Sequence, residues 1–343
     1  MARRAREEYR RCTLRRIASL LLAPIAVAAW PAAATAQAPD AAPSGPGSPA
    51  SARAEMTIDV TGINGRHATT VSGTRLRIEG TVSRFVAGQE VAVGVYRGAK
   101  RLSSRTVAIL PGEDGAGRFV LGQRVRGTGH FVLRAAHATT AELDAMEAKG
   151  VGFDVLPTRL RRGARGPRVR VVQRHLDELG YVVGRRGSFD ARTRRAVLAV
   201  RKVSRMARTT SADRAMMERL AAGQGRFRVR HRRHGRHVEA DLARQVVALI
   251  GAGGKVERIY PTSSGARSTP TVTGSFRTYR KDPGTNSLGM VHSVYFIGGY
   301  ALHGFRSVPK YPASHGCLRL PIPDARSVYD WMRIGTRVDV YRR

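Results

Sequence analysis

Ser314-His315-Gly316-Cys317-Leu318-Arg319-Leu320 is the stretch that decides how this chain reads. Cys317 is one of two cysteines; the other, Cys12, lies near the N-terminus. Residues 1–16 are rich in arginine, Ile17–Trp30 is almost wholly apolar, and Ala34-Thr35-Ala36 follows as a small-x-small cleavage site. This layout predicts a secretory signal peptide over residues 1–36, its apolar run shorter than the ~20 residues a membrane span needs. Arg15-Arg16 raises the twin-arginine route, but the residues around the pair match that signal poorly. Cys12 precedes the apolar run and is misplaced for lipid attachment. The exported chain then keeps Cys317 alone. Secreted proteins pair their cysteines or lack them, so a lone one is either a leftover or a reactive thiol.

A free thiol has a pKa near ~8.5, and a nearby imidazole activates it by taking its proton. No histidine follows His315, so the base lies upstream. That order disfavours papain-like peptidases, in which His follows Cys. His315 would share a face with Cys317 if the segment were a strand. His303 ends a strand-like run and precedes Gly304, where a turn would aim it at the thiol; His303 is the favoured base. The Gly304 carbonyl would then fix the imidazole tautomer. Gly316 keeps the approach open, and the N–H groups of Gly316 and Cys317 form a candidate oxyanion hole. Arg319 would attract a substrate carboxylate or brace the loop. The competing reading is a zinc cluster of His303, His315 and Cys317. It lacks a fourth ligand and a supporting carboxylate, so no metal and no cofactor are expected.

The rest of the chain divides by pattern. Residues 37–55 are rich in Ala, Pro, Ser and Gly and read as a linker. Seven alternating apolar runs follow: Met56–Ile63, Arg75–Val82, Glu90–Arg97, Arg105–Leu110, Gly117–Val125, Gly129–His137 and Val151–Leu156. They predict an immunoglobulin-like β-sandwich over 56–157, without its disulfide and with a short helix in Thr139–Lys149. Residues 158–223 carry helical spacing at Val169, Val172, Leu176 and Leu179, at Ala196, Val197 and Val200, and at Met216, Met217 and Leu220. These stripes read as the core of a small three-helix domain. Residues 224–237 form a basic run with His231, His234 and His237. Three such histidines would suit zinc on a helix, but Gly235 and the arginines oppose one, no carboxylate supports them, and a solvated linker is expected. Strand signals return over 238–343, with one helix at Asp324–Met332. The fold class is multidomain and mainly β.

The formal net charge is +35. It favours anionic partners, including anionic wall polymers, although a solvated Arg-rich surface is an equal reading. The arginines are spread along the chain and no nucleic-acid motif occurs, so nucleic acid is not expected as a partner.

Two resemblances sharpen this. Leu160-x-x-Gly163-x-x-Gly166-x-x-Val169-x-x-x-Gln173-x-x-Leu176-x-x-x-Gly180-Tyr181, followed by Gly187-x-Phe189-Asp190-x-x-Thr193-x-x-Ala196-Val197, resembles the three-helix peptidoglycan-binding domain beside many cell-wall enzymes. His303-Gly304, then Pro312-x-Ser314-His315-Gly316-Cys317-Leu318-Arg319-Leu320, resembles the signature of the L,D-transpeptidase catalytic domain. Further blocks of that family match from Val238 to Tyr341: the hairpin Val238–Gln245, Ser263-Ser264-Gly265, Thr269-Pro270-Thr271-Val272-Thr273-Gly274, and Met290–Tyr300 over the substrate cleft. Val272-Thr273 is inserted, and Phe305 stands where the family often has a small or polar residue. The resemblance implies an exported, wall-associated or secreted enzyme acting on peptidoglycan stem peptides and glycan. Cys317 would be the nucleophile, His303 the base and Gly304 its orienting carbonyl, with Ser314, His315, Arg319 and Tyr295 binding substrate. It implies 3→3 cross-linking, or L,D-carboxypeptidase action when water is the acceptor. A non-catalytic wall-binding protein and an exported cysteine peptidase are the other readings.

Overall fold

The computed structural model describes residues 53–342. The expected signal peptide and nearly all of the 37–55 linker lie outside the described residues. Within them, no helix is long and apolar enough to cross a membrane.

The first part is built from β1 (Met56–Thr61), β2 (Thr69–Val71), β3 (Arg75–Val82), β4 (Glu90–Arg97), β5 (Lys100–Ala108), β6 (Leu110–Pro111), β7 (Gly117–Arg124), β8 (Gly129–His137), β9 (Met146–Glu147) and β10 (Val151–Leu156). One sheet runs β1-β3-β7-β6; the other runs β2-β10-β8-β4-β5, with β9 on β8. Alternation drives the packing. In β3, Leu76, Ile78 and Val82 point inward between exposed Arg75, Arg77 and Thr81. They meet Val91, Val93, Phe131, Leu133 and Phe153 of the opposite sheet in one core. The expected helix in Thr139–Lys149 is absent. Thr140 closes a turn by exchanging hydrogen bonds with Leu143, and Met146–Glu147 pairs with β8 instead.

Three helices follow. Pro167 opens α1 (Pro167–Glu178), a position where its missing N–H costs nothing. The Asp190 side chain caps α2 (Ala191–Val203) and that of Asp213 caps α3 (Arg214–Ala221), each accepting a backbone N–H of the first turn. Their apolar faces share one core with Val246, Ala248, Ile250 and Ile259 of the following sheet. The helices are therefore packed on the C-terminal domain and not strung beside it.

Residues 224–237 correct the sequence reading. Phe227 and Val229 are buried in that shared core, and His237 is fully buried. Carboxylates do support the histidines. Buried Glu239 accepts the N–H groups of Arg230 and His231 and lies 3.3 Å from Nε2 of His237. His234 Nδ1 donates to Asp339 at 2.9 Å. His231, His234 and Asp339 place ligand atoms within 4.8 Å of one another, with the Arg337 guanidinium 3.3 Å from His234 Nε2.

The C-terminal domain holds two sheets. The first comprises β11 (His237–Asp241), β12 (Val246–Ile250), β13 (Val256–Pro261), β14 (Gly274–Arg277) and, far along the chain, β19 (Arg337–Tyr341), in the order β13-β12-β11-β19-β14. The second comprises β15 (Arg280–Thr285), β16 (Val291–Ile297), β17 (Tyr300–Phe305) and β18 (Leu318–Pro321) in sequence order. Helix α4 (Ile322–Trp331) follows β18 and packs on β16 and β17. Val238, Val247, Val294, Leu302, Leu320 and Val338 close the core between the sheets. Strands β15 and β18 carry no clear sequence signal: Arg280–Thr285 contains a Pro and a Gly, and Leu318–Pro321 is only four residues long.

Candidate active site

Strand register assembles the site. In the second sheet Arg280 pairs with Tyr295, and Tyr295 with Ala301. Leu302 pairs with Leu318 and His303 with Arg319 across the parallel β17–β18 junction. Cys317 therefore arrives level with Ala301, and it packs with Ala301, Tyr295 and Met290. Residues two apart on a strand share a face, so His303 and Arg319 stand one step along from Ala301 and Cys317 on the same side. The Arg280 guanidinium lies 3.9 Å from the Tyr295 ring centroid, extending the row to the sheet edge.

His303 is 3 % exposed. Its Nδ1 lies 2.9 Å from the Gly304 carbonyl. Donation there leaves Nε2 as the proton acceptor. Gly304 does not turn the chain: β17 continues through it to Phe305. The glycine is needed for space. A Cβ at Gly304 would sit 2.7 Å from that of Ala325 on α4. Phe305 packs edge-on to His303, with centroids 5.6 Å apart, and the Arg319 guanidinium lies 4.3 Å from its ring centroid.

The thiol of Cys317 is half-buried, and its hydrogen bond runs to the Gly299 carbonyl at 3.6 Å rather than to His303. Burial pushes the thiol pKa up, opposed by a backbone bond from Ala301 and by Arg319. Burial also pushes the His303 imidazole down; its bond to Gly304 acts the other way, and Arg319 adds to the depression. Both shifts favour an uncharged thiol–imidazole pair at rest.

The Cys317 loop is held by hydroxyl groups. Ser314 Oγ donates to the Cys317 carbonyl at 2.6 Å and accepts the Gly316 N–H at 3.1 Å. That amide is thus engaged and is not open to a developing oxyanion. Thr271 Oγ1 donates to the Gly316 carbonyl at 2.7 Å, and Thr269 Oγ1 to the Ser314 carbonyl at 2.9 Å. Ser264 O accepts the N–H groups of Ala313 and Ser314, and Ser263 exchanges backbone bonds with Arg319. Gly316 has φ +114°, and a Cβ there would lie 2.1 Å from the Tyr300 ring. Only glycine meets both demands. His315 is exposed and precedes β18, so it is not on the strand that would have placed it beside Cys317. His303, His315 and Cys317 do not gather as a metal-ligand set among the described residues.

Ser263-Ser264-Gly265 and the Thr269 stretch stand in the sequence as blocks with no task attached. Runs of small hydroxyl residues ahead of a nucleophile loop are the signal, because they satisfy backbone groups that the loop leaves unpaired. Gln245, fully buried, was missed as a scaffold: its side chain joins Leu242 O, Ser264 Oγ and Ser264 N.

Residues 235–340 match the YkuD family, the L,D-transpeptidase catalytic domain. A solved L,D-transpeptidase from Xylanimonas cellulosilytica is 34% identical, over 54% of this chain and 98% of that one, with a TM-score of 0.49. An L,D-transpeptidase from Stackebrandtia nassauensis is 19% identical over 54% and 95% of the two chains, with a TM-score of 0.34. One from Mycobacterium smegmatis is 12% identical over 84% and 99%, with a TM-score of 0.27. No curated protein matches. The family match, together with 34% identity over nearly all of the first relative, shows that the chain belongs to the L,D-transpeptidase family.

Proposed function

We propose that this protein is an exported cell-wall L,D-transpeptidase that forms 3→3 peptidoglycan cross-links through a thioester on Cys317. The observation that supports it most is a loop-clamped Cys317 directly ahead of the strand that sets Arg319 opposite His303, whose Nδ1 is committed to Gly304.

In this reading His303 Nε2 takes the thiol proton as Sγ attacks the carbonyl of the L-centred third residue of a tetrapeptide stem. The C–N bond to the terminal D-alanine breaks, and the imidazolium returns the proton to that amine. The side-chain amine of a third residue on another stem then attacks the thioester. It loses a proton to His303, and the thiolate leaves and is reprotonated. With Gly316 N–H held by Ser314, the oxyanion falls to the amide of Cys317 unless Ser314 releases its neighbour. Arg319, beside both His303 and Cys317, would draw the substrate carboxylate into place. Tyr295 would form part of the cleft wall and exposed His315 the outer rim.

The test is incubation of residues 37–343 with a disaccharide-tetrapeptide and product analysis by mass spectrometry. A Cys317-dependent dimer that has lost one D-alanine supports the proposal. Tripeptide alone moves the assignment to L,D-carboxypeptidase, and no product from folded protein moves it to wall binding.

A further inference from the structure

Lys202 projects from α2 into the junction with the C-terminal domain and is 3 % exposed. No carboxylate pairs with it among the described residues; Nζ donates to the carbonyls of Gln245 and Thr262, both at 3.0 Å. Its charged neighbours, Arg208 and Lys310, are cations. Burying an ammonium without a counter-ion is costly, and sequences normally avoid it. Burial, with those two cations, pushes Lys202 down to about 7. A neutral amine carries two N–H groups, the number of carbonyls it meets.

Those carbonyls begin two hydrogen-bonded routes to the nucleophile. In one, the Gln245 side chain binds Ser264 through both its N–H and its hydroxyl. Ser264 O then holds Ala313 and Ser314, and Ser314 Oγ holds Gly316 and Cys317. In the other, Thr262 Oγ1 donates to the Arg319 carbonyl at 2.8 Å. The routes reach the loop on either side of Cys317. Helix α2 is fixed over this junction by Arg192 and Arg195, which pair with buried Asp324 at 2.7 and 3.1 Å, and nearby Arg208 reaches Ala243 O and Lys310 O.

We propose that Lys202 is a positioning residue for the Cys317 loop, so that the helical domain is a structural part of the catalytic unit and not only a wall-binding attachment. The consequence for turnover rests on the function proposed above. The consequence for the thiol does not.

The test uses the full exported chain. Lys202→Met keeps the volume but removes both donors. It is expected to lower kcat about tenfold or more with KM within about twofold, the pattern of a misplaced reacting group. The pH profile of Cys317 alkylation by iodoacetamide should shift. Gln245→Ala should reproduce both effects, and the double variant should add little, as expected for residues on one route. Lys202→Gln, which restores two N–H donors, should recover part of the loss. Arg192→Ala, which loosens the same junction through Asp324 without touching Lys202 or either route, should leave kcat and the alkylation profile near wild type. Folded Lys202→Met with unchanged kcat and alkylation would overturn the proposal, as would losses matched in Arg192→Ala. Should Lys202→Met not fold, Gln245→Ala decides, unchanged values overturning it. A wild-type enzyme without turnover would sink the transpeptidase reading, while the alkylation comparison would still decide the role of Lys202.

Discussion

The sandwich and the Cys317 loop use buried polar groups to different extents. In the sandwich an apolar cluster fills the space between the sheets and β3 puts its polar residues outward by simple alternation, with buried groups such as His137 and Asp154 as exceptions. Around Cys317 the chain instead buries Gln245, Thr262, Ser263, Ser264, Thr271 and Ser314 and gives each a hydrogen-bond partner. An apolar core tolerates small shifts in register and volume; a saturated polar network has one arrangement. The first supplies stability and the second supplies position.

The largest expected effect breaks the comparison at its centre. Cys317→Ala should abolish turnover while the melting temperature stays within a few degrees, since the half-buried thiol makes only weak backbone contacts. His303→Ala should lower kcat by about 10²–10⁴-fold, the usual range for a general base. Turnover assays on folded protein check both.

Next, Thr271→Val should leave the Gly265 N–H and the Gly316 carbonyl without their buried partner. A loss of roughly 1–3 kcal/mol in urea denaturation is expected, together with a fall in kcat. Leu76→Ala, in the sandwich core, should cost about 2–5 kcal/mol locally yet leave kcat unchanged at temperatures where the domain stays folded. Equal kcat losses in the two variants would erase the distinction between the regions.

Two pH effects are smaller. His303 must be neutral to accept a proton, and its pKa is lowered by burial. The acid limb of kcat/KM should therefore fall below the ordinary imidazole range near ~6.5, as measured from pH 4 to 9. Lys202 sits at about 7 folded against an ordinary value near 10.5. Between those values the unfolded chain binds more protons, so this group's contribution to stability rises with pH from about 7 towards 10.5 and is at its lowest below 7. Chemical denaturation at pH 7 and pH 9 should show the rise in wild type and a flatter response in Lys202→Met.

Much of the fold was legible because alternation and helical spacing are local. Arg75–Val82, Glu90–Arg97, Gly129–His137 and Val151–Leu156 match their strands residue for residue. What failed depended on distant partners. Glu239 and Asp339 lie opposite one another on adjacent strands, and nothing near His231 or His234 foretells Asp339. Gly304 looked like a turn because a glycine after a strand usually is one; here α4 requires its missing side chain. Lys202 carries no local signal at all, since its acceptors lie on another domain. The cysteine and its candidate base were visible from residue type and spacing, whereas the network that holds them was not.

The most direct measurement is the intact mass of residues 37–343 after brief exposure to a tetrapeptide donor with no acceptor amine, followed by peptide mapping. The expected result is a gain equal to the donor minus D-alanine, located on Cys317 and absent from Cys317→Ala. Product formation by Cys317→Ala, or an adduct on another residue, would contradict a thioester mechanism at this site.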